Sequence, residues 1–506
     1  MLRVLFLVIC VGISADFSDA AKILGVFTIP SISHQVVFRA LTHELARRGH
    51  EVTVITTDPA FPKDGAPANL TEIDVHDTSY KIWRERFVTA SKGSKDDIID
   101  QFNIIFPLTV DIFEAQIKNE EVQKMIRDKN VHFDLILAEA GVRPAVVFSH
   151  LYKAPVIIVS SFGAFMDNYD VMGAPIHPLL YPSGVRQKLS NLSMWDKIKE
   201  LRFHYKVRSL YMASYDHENA MLKSHFAMMF LNVRPIFEGN RPVPPSVIYM
   251  GGIHQNPDKD LPADLKAYLD SSKNGVIYIS YGTNVDPALL PPEKIKAMVR
   301  VFSKLPYDVL WKWNDSELPG RTDNIKTFKW LPQSDLLKHP KIKLFIMQGG
   351  LQSTDEAIAA AVPLIGMPML GDQWYNVEKY IVHGIGARID MESLTEEELL
   401  KTINTVIGDE SYRRNIQRLR TLMFDEPMRP LERAMWWIEH ILRHGDGKHL
   451  RSPAANITWT EFLELELVFT LLIGLLTILT VVVLIVRFLY RYIFSSSTDY
   501  VKIKRS

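Results

Sequence analysis

Residues 330–376 read WLPQSDLLKHPKIKLFIMQGGLQSTDEAIAAAVPLIGMPMLGDQWYN, and they decide the fold of the second half of the chain. The apolar run 344–347 predicts a strand that ends at a pair of glycines, and a helix is predicted to begin with Ser353 and Thr354. At such a junction, free backbone N–H groups and the positive end of the helix dipole face the same point. Because glycine lets a diphosphate approach the backbone closely, the stretch predicts an anion site.

The polar residues of the same stretch suit a nucleotide sugar. Trp330 offers a flat face to a base, and Glu356, one turn into the helix, can accept hydrogen bonds from both ribose hydroxyls. Asp372, Gln373 and Asn376 follow another strand and offer polar groups to sugar hydroxyls. Taken singly, each residue has a commoner role, because a tryptophan usually packs in a core and two glycines usually form a turn. The spacing of the whole set is what predicts a donor site.

The rest of the chain has the pattern of two α/β domains. Its 506 residues, 47% of them hydrophobic, are too many for one ordinary core. Strands and helices alternate on both sides of a segment rich in proline and glycine, 241–262, which is typical of an interdomain linker. The alternation predicts two doubly wound, Rossmann-like domains that face a cleft. The predicted strands are 23–28, 52–55, 135–138 and 156–160 in the first domain, and 276–280, 309–313, 344–347 and 364–367 in the second.

Charge and cysteine content exclude several classes of function. Lys plus Arg and Asp plus Glu both number 58, so no net charge attracts nucleic acid. The single cysteine, Cys10, lies in a predicted signal peptide and leaves the mature chain no thiolate ligand or nucleophile. His43 and Glu44 lack a second histidine at zinc spacing, and no dinucleotide-binding fingerprint is present. We therefore predict no metal site, no cofactor and no nucleic-acid partner.

The two ends of the chain indicate secretion and a membrane anchor. Residues 1–20 have a basic start, an apolar run and small residues before a cleavage site, as in a signal peptide. Residues 467–486 carry no charge and at about 1.5 Å per residue can span a bilayer. Glutamates precede this run and basic residues follow it, which predicts a luminal protein with a cytosolic tail. Lys502 and Lys504 resemble a dilysine signal for the endoplasmic reticulum membrane.

Sequons for N-glycosylation agree with a luminal location. They begin at Asn69, Asn191, Asn314 and Asn456.

Together these motifs resemble the UDP-glycosyltransferase family, the membrane-bound detoxifying enzymes, and are most similar to insect-type members. The resemblance covers nearly the whole chain. In the first half its motifs are 23–57 around His34, 133–136, and 242–245 before Gly251 and Gly252. In the second half they are Gly282-Thr283-Asn284, 330–376, and the anchor with its basic tail. It implies a GT-B fold. The implied segments are a signal peptide (1–20), an acceptor-binding domain (21–255), a UDP-sugar-binding domain (256–450), a juxtamembrane linker (451–466), a transmembrane helix (467–486) and a cytosolic tail (487–506).

The resemblance also implies the contacts of a UDP-sugar, which serves as co-substrate. Trp330 and Gln333 would contact the uracil and ribose, and Glu356 the ribose hydroxyls. The phosphates would meet Gly350, Ser353 and Thr354 from one side and Gly282 and Thr283 from the facing loop. Asp372 and Gln373 would hold the sugar.

His34 matches the catalytic base of the family. It follows the first strand at the start of a helix, where the positive end of the dipole favours a neutral ring. A neutral imidazole can take a proton from an acceptor hydroxyl. The implied reaction is a metal-free, inverting transfer of a hexose, glucose in insect-type members, to small lipophilic acceptors. Glucuronic acid, galactose and a homo-oligomeric state stay open.

Two positions depart from the family pattern. Gln348 stands where the family has a histidine before the two glycines, and an amide cannot become cationic beside a leaving phosphate. The acid that orients the catalytic histidine aligns with Glu139, whereas a further site used by some insect-type members falls on Pro144. The alternative for Glu139 is an ordinary carboxylate at the start of a helix. These departures leave an alternative open: a catalytically impaired relative that binds UDP-sugar or a hydrophobic ligand as a carrier or partner protein.

Overall fold

The computed structural model describes residues 20–62, 65–88, 98–164, 168–182, 184–213, 226–255, 257–283, 285, 290–315 and 317–503. The predicted signal peptide, except Ala20, lies outside the described residues, as do Asn284 and Lys504. Residues up to Ser452 form one compact unit, and the described residues after it form a second.

A parallel sheet forms the centre of the first half, and in the described part of the chain it has seven strands. They are β1 (Lys22–Phe27), β2 (Glu51–Thr56), β3 (Leu70–Asp74), β4 (Leu135–Glu139), β5 (Val156–Ser160), β6 (Phe226–Leu231) and β7 (Val247–Tyr249). Their spatial order is β3-β2-β1-β4-β5-β6-β7. The chain order reverses between β1 and β4, and a crevice for ligands opens at the carboxyl ends of strands at such a point.

Helices cover this sheet. They are α1 (Ile32–Arg47), α2 (His76–Trp83), α3 (Ile98–Ile117), α4 (Glu120–Arg127), α5 (Val147–Tyr152), α6 (Asn168–Val171) and α7 (Met194–Ala213), with a π-helical turn at Arg84–Val88 and a 3₁₀ turn at Arg143–Val146. Burial on both faces explains why central strands such as β5 are continuous apolar runs.

The second half repeats this architecture around a parallel sheet that has six strands among the described residues. They are β8 (Val276–Ser280), β9 (Asp308–Lys312), β10 (Ile325–Phe328), β11 (Ile342–Met347), β12 (Leu364–Gly366) and β13 (Gly386–Arg388), in the order β10-β9-β8-β11-β12-β13. Its helices are α8 (Ala263–Ser271), α9 (Pro292–Phe302), α10 (Gln333–Leu337), α11 (Leu351–Ala359), α12 (Gln373–His383), α13 (Glu396–Gly408), α14 (Glu410–Phe424) and α15 (Pro430–His444), followed by a 3₁₀ turn at Lys448–Leu450. Here the strand order reverses between β8 and β11.

The structure corrects two predictions of local structure. β7 lies inside the predicted linker 241–262 and is the edge strand of the first sheet, paired with β6. Its three residues follow a proline-rich run, so the sequence pattern indicated a loop. The helix predicted to begin at Ser353 begins at Leu351, directly after Gly350.

The last helix of the second half, α15, packs on the first sheet. Its buried side chains, Ala434, Met435, Ile438 and Ile441, belong to the same core as Phe38 and Leu41 of α1. This helix thus lies with the N-terminal sheet although it follows the second sheet in the chain.

The C-terminal unit contains a 3₁₀ turn at Pro453–Asn456, α16 (Trp459–Phe462) and α17 (Leu465–Ile503). Its segment Leu465–Ile493 is the one described helix whose length and apolar composition suit a membrane span. The predicted span 467–486 lies inside it. The predicted luminal topology stays a prediction.

Candidate active site

The reversal of strand order in the first sheet brings two sequence-predicted residues together. His34 is the third residue of α1, which follows β1 after a short loop, and Glu139 is the last residue of β4. β1 and β4 are neighbours, so both side chains lie at the same carboxyl edge. His34 Nδ1 lies 2.7 Å from Glu139 Oε1.

Glu139 is buried, and hydrogen bonds from both sides fix its carboxylate. Its Oε2 accepts the backbone N–H groups of Thr28 and Ile29, each at 3.0 Å, while Oε1 accepts the Nδ1 proton of His34. A buried carboxylate needs such partners, because charge is costly to bury without them. In the neutral ring, an Nδ1 that donates to Glu139 leaves the lone pair of the imidazole on Nε2. The predicted contact between the two residues is therefore present.

A cavity of about 360 Å³ lies between the carboxyl edges of the two sheets, and we call it the donor cavity. His34 lines it from the first sheet. From the second half it is lined by nearly all of the predicted donor residues: Gly282, Thr283, Trp330, Gln333, Gln348, Gly350, Ser353, Glu356, Asp372 and Gln373. The fold thus gathers residues from four separate loops and helix starts into one space.

Thr354 is the exception among the predicted donor residues. Its side chain is buried, and its hydroxyl lies 2.9 Å from the carbonyl oxygen of Gly350 and 2.6 Å from the hydroxyl of Tyr380. The backbone N–H of Thr354 already donates to the carbonyl oxygen of Gly350 at 3.0 Å. Because α11 begins two residues earlier than predicted, the N–H groups of residues 351–353 occupy the first turn, where a helix leaves donors free. We therefore expect these N–H groups and the Ser353 hydroxyl, in place of Thr354, to face a phosphate.

One end of the donor cavity has the groups for a nucleoside. The Gln333 amide donates to Glu356 at 2.6 Å and to the Ser353 hydroxyl at 2.8 Å. The hydroxyl of Tyr278 donates to the Gln333 carbonyl at 3.0 Å. Burial raises the pKa of the Glu356 carboxyl, although the bond from Gln333 opposes that rise. Trp330 is 68% exposed, so its ring is open to a planar base.

The middle of the donor cavity is formed by glycines around Gln348. Gly282 has φ +72°, and a Cβ built on it would overlap Nε2 of Gln348. A Cβ on Gly350 would lie 3.2 Å from the same atom. The Oε1 atom of Gln348 is buried and makes no hydrogen bond with any residue that the structure describes. The amide nitrogen of Gln348 therefore lies between the two loops predicted to meet the phosphates.

Lys312 also lines the donor cavity, and the sequence analysis missed it. Its Nζ donates to the carbonyl oxygen of Gly282 at 2.7 Å and lies 5.9 Å from the centre of the Trp330 ring. Lys312 is the last residue of β9, which pairs with β8. A lysine at a strand end was the available signal, but only the strand pairing shows that it faces the cavity.

The sugar end of the donor cavity is formed by the start of α12. Asn376 Nδ2 donates to Asp372 Oδ2 at 2.8 Å and to the carbonyl oxygen of Gly349 at 2.9 Å. Gln373 Oε1 accepts the N–H groups of Met369 and Leu370, so the N–H₂ group of Gln373 is left for a ligand. Burial raises the pKa of the Asp372 carboxyl.

A second cavity, of about 190 Å³, adjoins the donor cavity at His34, Asp372 and Gln373, and we call it the apolar cavity. Its walls are mostly aromatic and aliphatic, with Trp83, Phe87, Phe102, Ile105, Phe106 and Phe162 among them. Several of these side chains come from α3, which the sequence analysis did not assign to a site. The apolar residues of α3 were the available signal, but a core helix has the same pattern.

The described residues contain no group of three His, Cys, Asp or Glu side chains that could hold a metal ion. The absence of a metal from the reaction stays a prediction.

The predicted glycosylation sites differ in their surroundings. Asn191 is exposed, with φ 54°. Asn69 Nδ2, the atom that a glycan would occupy, instead donates to the carbonyl oxygens of Ala46 and His50 at 2.6 and 2.9 Å. Asn314 is exposed, and Asn456 lies in a 3₁₀ turn.

The chain is similar to known proteins in sequence and in fold. A sequence model of the family described as "UDP-glucoronosyl and UDP-glucosyl transferase" matches residues 21–499. The chain is 34% identical over 488 residues to an ecdysteroid UDP-glucosyltransferase of Spodoptera littoralis nuclear polyhedrosis virus, a match that covers 90% of this chain and 95% of the relative. It is 35% identical over 476 residues to the protein of the same description from Lymantria dispar multicapsid nuclear polyhedrosis virus, covering 90% and 93%.

A solved structure shares the fold. The calicheamicin glycosyltransferase CalG4 matches with a TM-score of 0.58 at 16% identity, over 84% of this chain and 99% of its own. With the two parallel sheets, this likeness confirms the predicted GT-B fold. Because the family model matches residues 21–499 and the viral relatives align over 90% of the chain, the chain belongs to the family of UDP-glucuronosyl and UDP-glucosyl transferases.

Proposed function

We propose that this protein is an inverting UDP-glycosyltransferase that transfers glucose from UDP-glucose to a hydroxyl group of a small lipophilic acceptor. The observation that carries the proposal is the His34–Glu139 pair, which lies where the donor cavity meets the apolar cavity. The two viral relatives are described as ecdysteroid UDP-glucosyltransferases, which supports glucose as the sugar and a polycyclic alcohol as one acceptor.

The pair supplies a general base. An acceptor in the apolar cavity would donate its hydroxyl proton to Nε2 of His34 while the hydroxyl oxygen attacks the anomeric carbon of the sugar. The bond between that carbon and the phosphate oxygen breaks, and UDP leaves with the bonding electrons. Attack from the face opposite to UDP turns an α-linked donor into a β-glycoside. Glu139 then stabilises the imidazolium through its 2.7 Å contact with Nδ1.

The donor cavity suits UDP as substrate and as leaving group. Trp330 would stack on the uracil, and Glu356, held by Gln333, would accept the ribose hydroxyls. The first turn of α11 offers N–H groups and the positive end of its dipole to the diphosphate. Asp372 and Gln373 would hold the sugar hydroxyls. No step requires a metal ion, because helix and amide donors face the developing charge.

Gln348 bears on the rate of this reaction. Its amide nitrogen can donate a hydrogen bond to a phosphate oxygen but carries no positive charge, so it stabilises departing UDP less than a protonated histidine would. A carrier that binds UDP-sugar without turnover is therefore the rival function. The intact His34–Glu139 pair favours catalysis, since a carrier has no use for a buried carboxylate held against a histidine.

The test is an activity matrix on microsomes that contain the full chain. UDP-glucose, UDP-glucuronic acid and UDP-galactose are each offered with a panel of phenols and hydroxysteroids, and products are read by mass spectrometry. We expect glucosides with β configuration by NMR, and their loss in His34→Ala. Binding of UDP without transfer to any acceptor, or equal product with and without His34, would overturn the proposal.

The proposal includes location. The apolar segment Leu465–Ile493 would anchor the protein in the endoplasmic reticulum membrane with both catalytic domains in the lumen and the C-terminal tail in the cytosol. Protection of both domains from protease in intact microsomes, lost on adding detergent, is the expected result. Digestion of the domains without detergent would place them in the cytosol.

A further inference from the structure

The loop 369–372 precedes α12 and is held from both domains. Within the second domain, the backbone N–H groups of Met369 and Leu370 donate to Gln373 Oε1 at 2.8 and 2.9 Å. From the other domain, the buried side chain of Gln101 in α3 reaches the same loop. Gln101 Nε2 donates to the carbonyl oxygen of Met369 at 3.3 Å, and Gln101 Oε1 accepts the N–H of Gly371 at 3.1 Å.

Packing in the core of the second domain holds Met369 and Leu370, whereas Gly371 is not held by packing. Gly371 has φ +49°, and nothing lies within 4 Å of the place where its Cβ would stand. Glycine in such open surroundings has a wide choice of conformations. Among the hydrogen bonds of the described residues, Gln101 supplies the partner of the Gly371 N–H. The orientation of the next residue, Asp372, therefore depends on Gln101 on the side of the loop and on Asn376, which donates to Asp372 Oδ2, on the side of α12.

The helix that carries Gln101 also lines the apolar cavity. Phe102, Ile105 and Phe106 of α3 form part of its wall. On the other side of the loop, Trp374 is buried in a cluster with Phe102 and Phe106. α3 is thus in contact with the space for an acceptor and with both ends of the segment that faces the sugar.

We propose that Gln101 is a positioning residue for the transferred sugar: through loop 369–372 it holds Asp372 and Gln373 in the orientation that binds the sugar hydroxyls. This inference rests on the proposed function. The nucleoside end of UDP is served by Trp330, Gln333 and Glu356, which lie outside this loop. Gln101 therefore affects the binding of UDP-glucose and leaves the binding of UDP unchanged.

The test replaces Gln101 by methionine, which keeps the length of the side chain and removes both hydrogen bonds. Dissociation constants of UDP and of UDP-glucose are measured by calorimetry on the full chain in detergent. Losing two neutral hydrogen bonds predicts that the ratio of the UDP-glucose constant to the UDP constant rises about tenfold in Gln101→Met. In transfer to 1-naphthol, KM for UDP-glucose rises by a similar factor, while kcat at saturating donor changes much less.

Gln116→Met is the matched control. Gln116 lies on the same helix, is equally buried, and also makes two hydrogen bonds, to the carbonyl oxygen of Thr28 and to the hydroxyl of Ser79, each at 2.8 Å. Both partners belong to the first half of the chain, so the ratio of the two constants should stay at its wild-type value. An unchanged ratio in Gln101→Met, or an equal rise in both variants, would overturn the inference. The proposed function fails separately, if the wild-type protein itself transfers no sugar.

Discussion

Replacing Glu139 by glutamine tests the catalytic pair with little change of shape. The new carbonyl oxygen can still accept the N–H groups of Thr28 and Ile29, which lie 3.0 Å from Oε2 of the glutamate. The amide N–H₂ group then faces Nδ1 of His34, which must become an acceptor, so the ring proton moves to Nε2. With Nε2 protonated, the base is lost. General-base catalysis contributes about 10²- to 10⁴-fold, so we expect kcat to fall by that factor.

The assay separates this loss of catalysis from a loss of folding or of donor binding. Initial rates with UDP-glucose and 1-naphthol give kcat, and calorimetry gives the dissociation constant of UDP, which should be unchanged because Glu139 does not line the donor cavity. Glu72→Gln is the matched control, since the Glu72 carboxylate also accepts backbone N–H groups, those of Ala60 and Phe61, but has no contact with His34. A fall in kcat of less than about threefold in Glu139→Gln would refute the assignment of His34 as base.

Three further predictions concern the donor cavity, pH and glycosylation. Gly282→Ala should weaken UDP binding at least about tenfold by calorimetry, because the residue has φ +72° and its Cβ would displace the amide of Gln348. Burial raises the pKa of Asp355 to about 7, whereas in the unfolded chain an aspartate ionises near pH 4. At Asp355 the folded state therefore holds a proton that the unfolded state has lost between about pH 4 and pH 7, and the stability that this group contributes falls as the pH rises through that range. Asp355→Asn removes this contribution, so its unfolding temperature should gain on that of the wild-type protein between about pH 5 and about pH 7.5. Asn191→Gln should remove a glycan and increase gel mobility, whereas Asn69→Gln should not, since Asn69 Nδ2 is hydrogen-bonded in the fold.

Each of these predictions has a control. Gly408→Ala adds a Cβ where nothing lies within 4 Å, so it should leave UDP binding unchanged. An equal difference in unfolding temperature between Asp355→Asn and the wild-type protein at the two pH values would contradict the raised pKa of Asp355. Glycosidase treatment should make the wild-type and Asn191→Gln bands coincide, and a shift in Asn69→Gln as well would show that Asn69 is modified before the chain folds.

Local pattern was enough to predict most central strands. The run 156–160 matches β5, and the run 276–280 matches β8, because strands buried on both faces are continuous apolar segments. The same pattern missed short edge strands. β7 and β13 have three residues each, and β3 alternates with polar residues, so pairing with a neighbour decides that they are strands.

The sequence by itself predicted most of the donor residues, because a glycine turn, a helix start and their polar neighbours lie within one short stretch, 330–376. The resemblance added His34 as the predicted base and Glu139 as its predicted partner. Tertiary structure decided the rest. The neighbouring positions of β1 and β4 bring Glu139 to 2.7 Å from His34 across 105 residues of chain. Contacts between distant segments also explain the burial of Thr354 against Tyr380, the position of Lys312 and the hydrogen bonds from Gln101 to loop 369–372. No local periodicity of the sequence records such contacts.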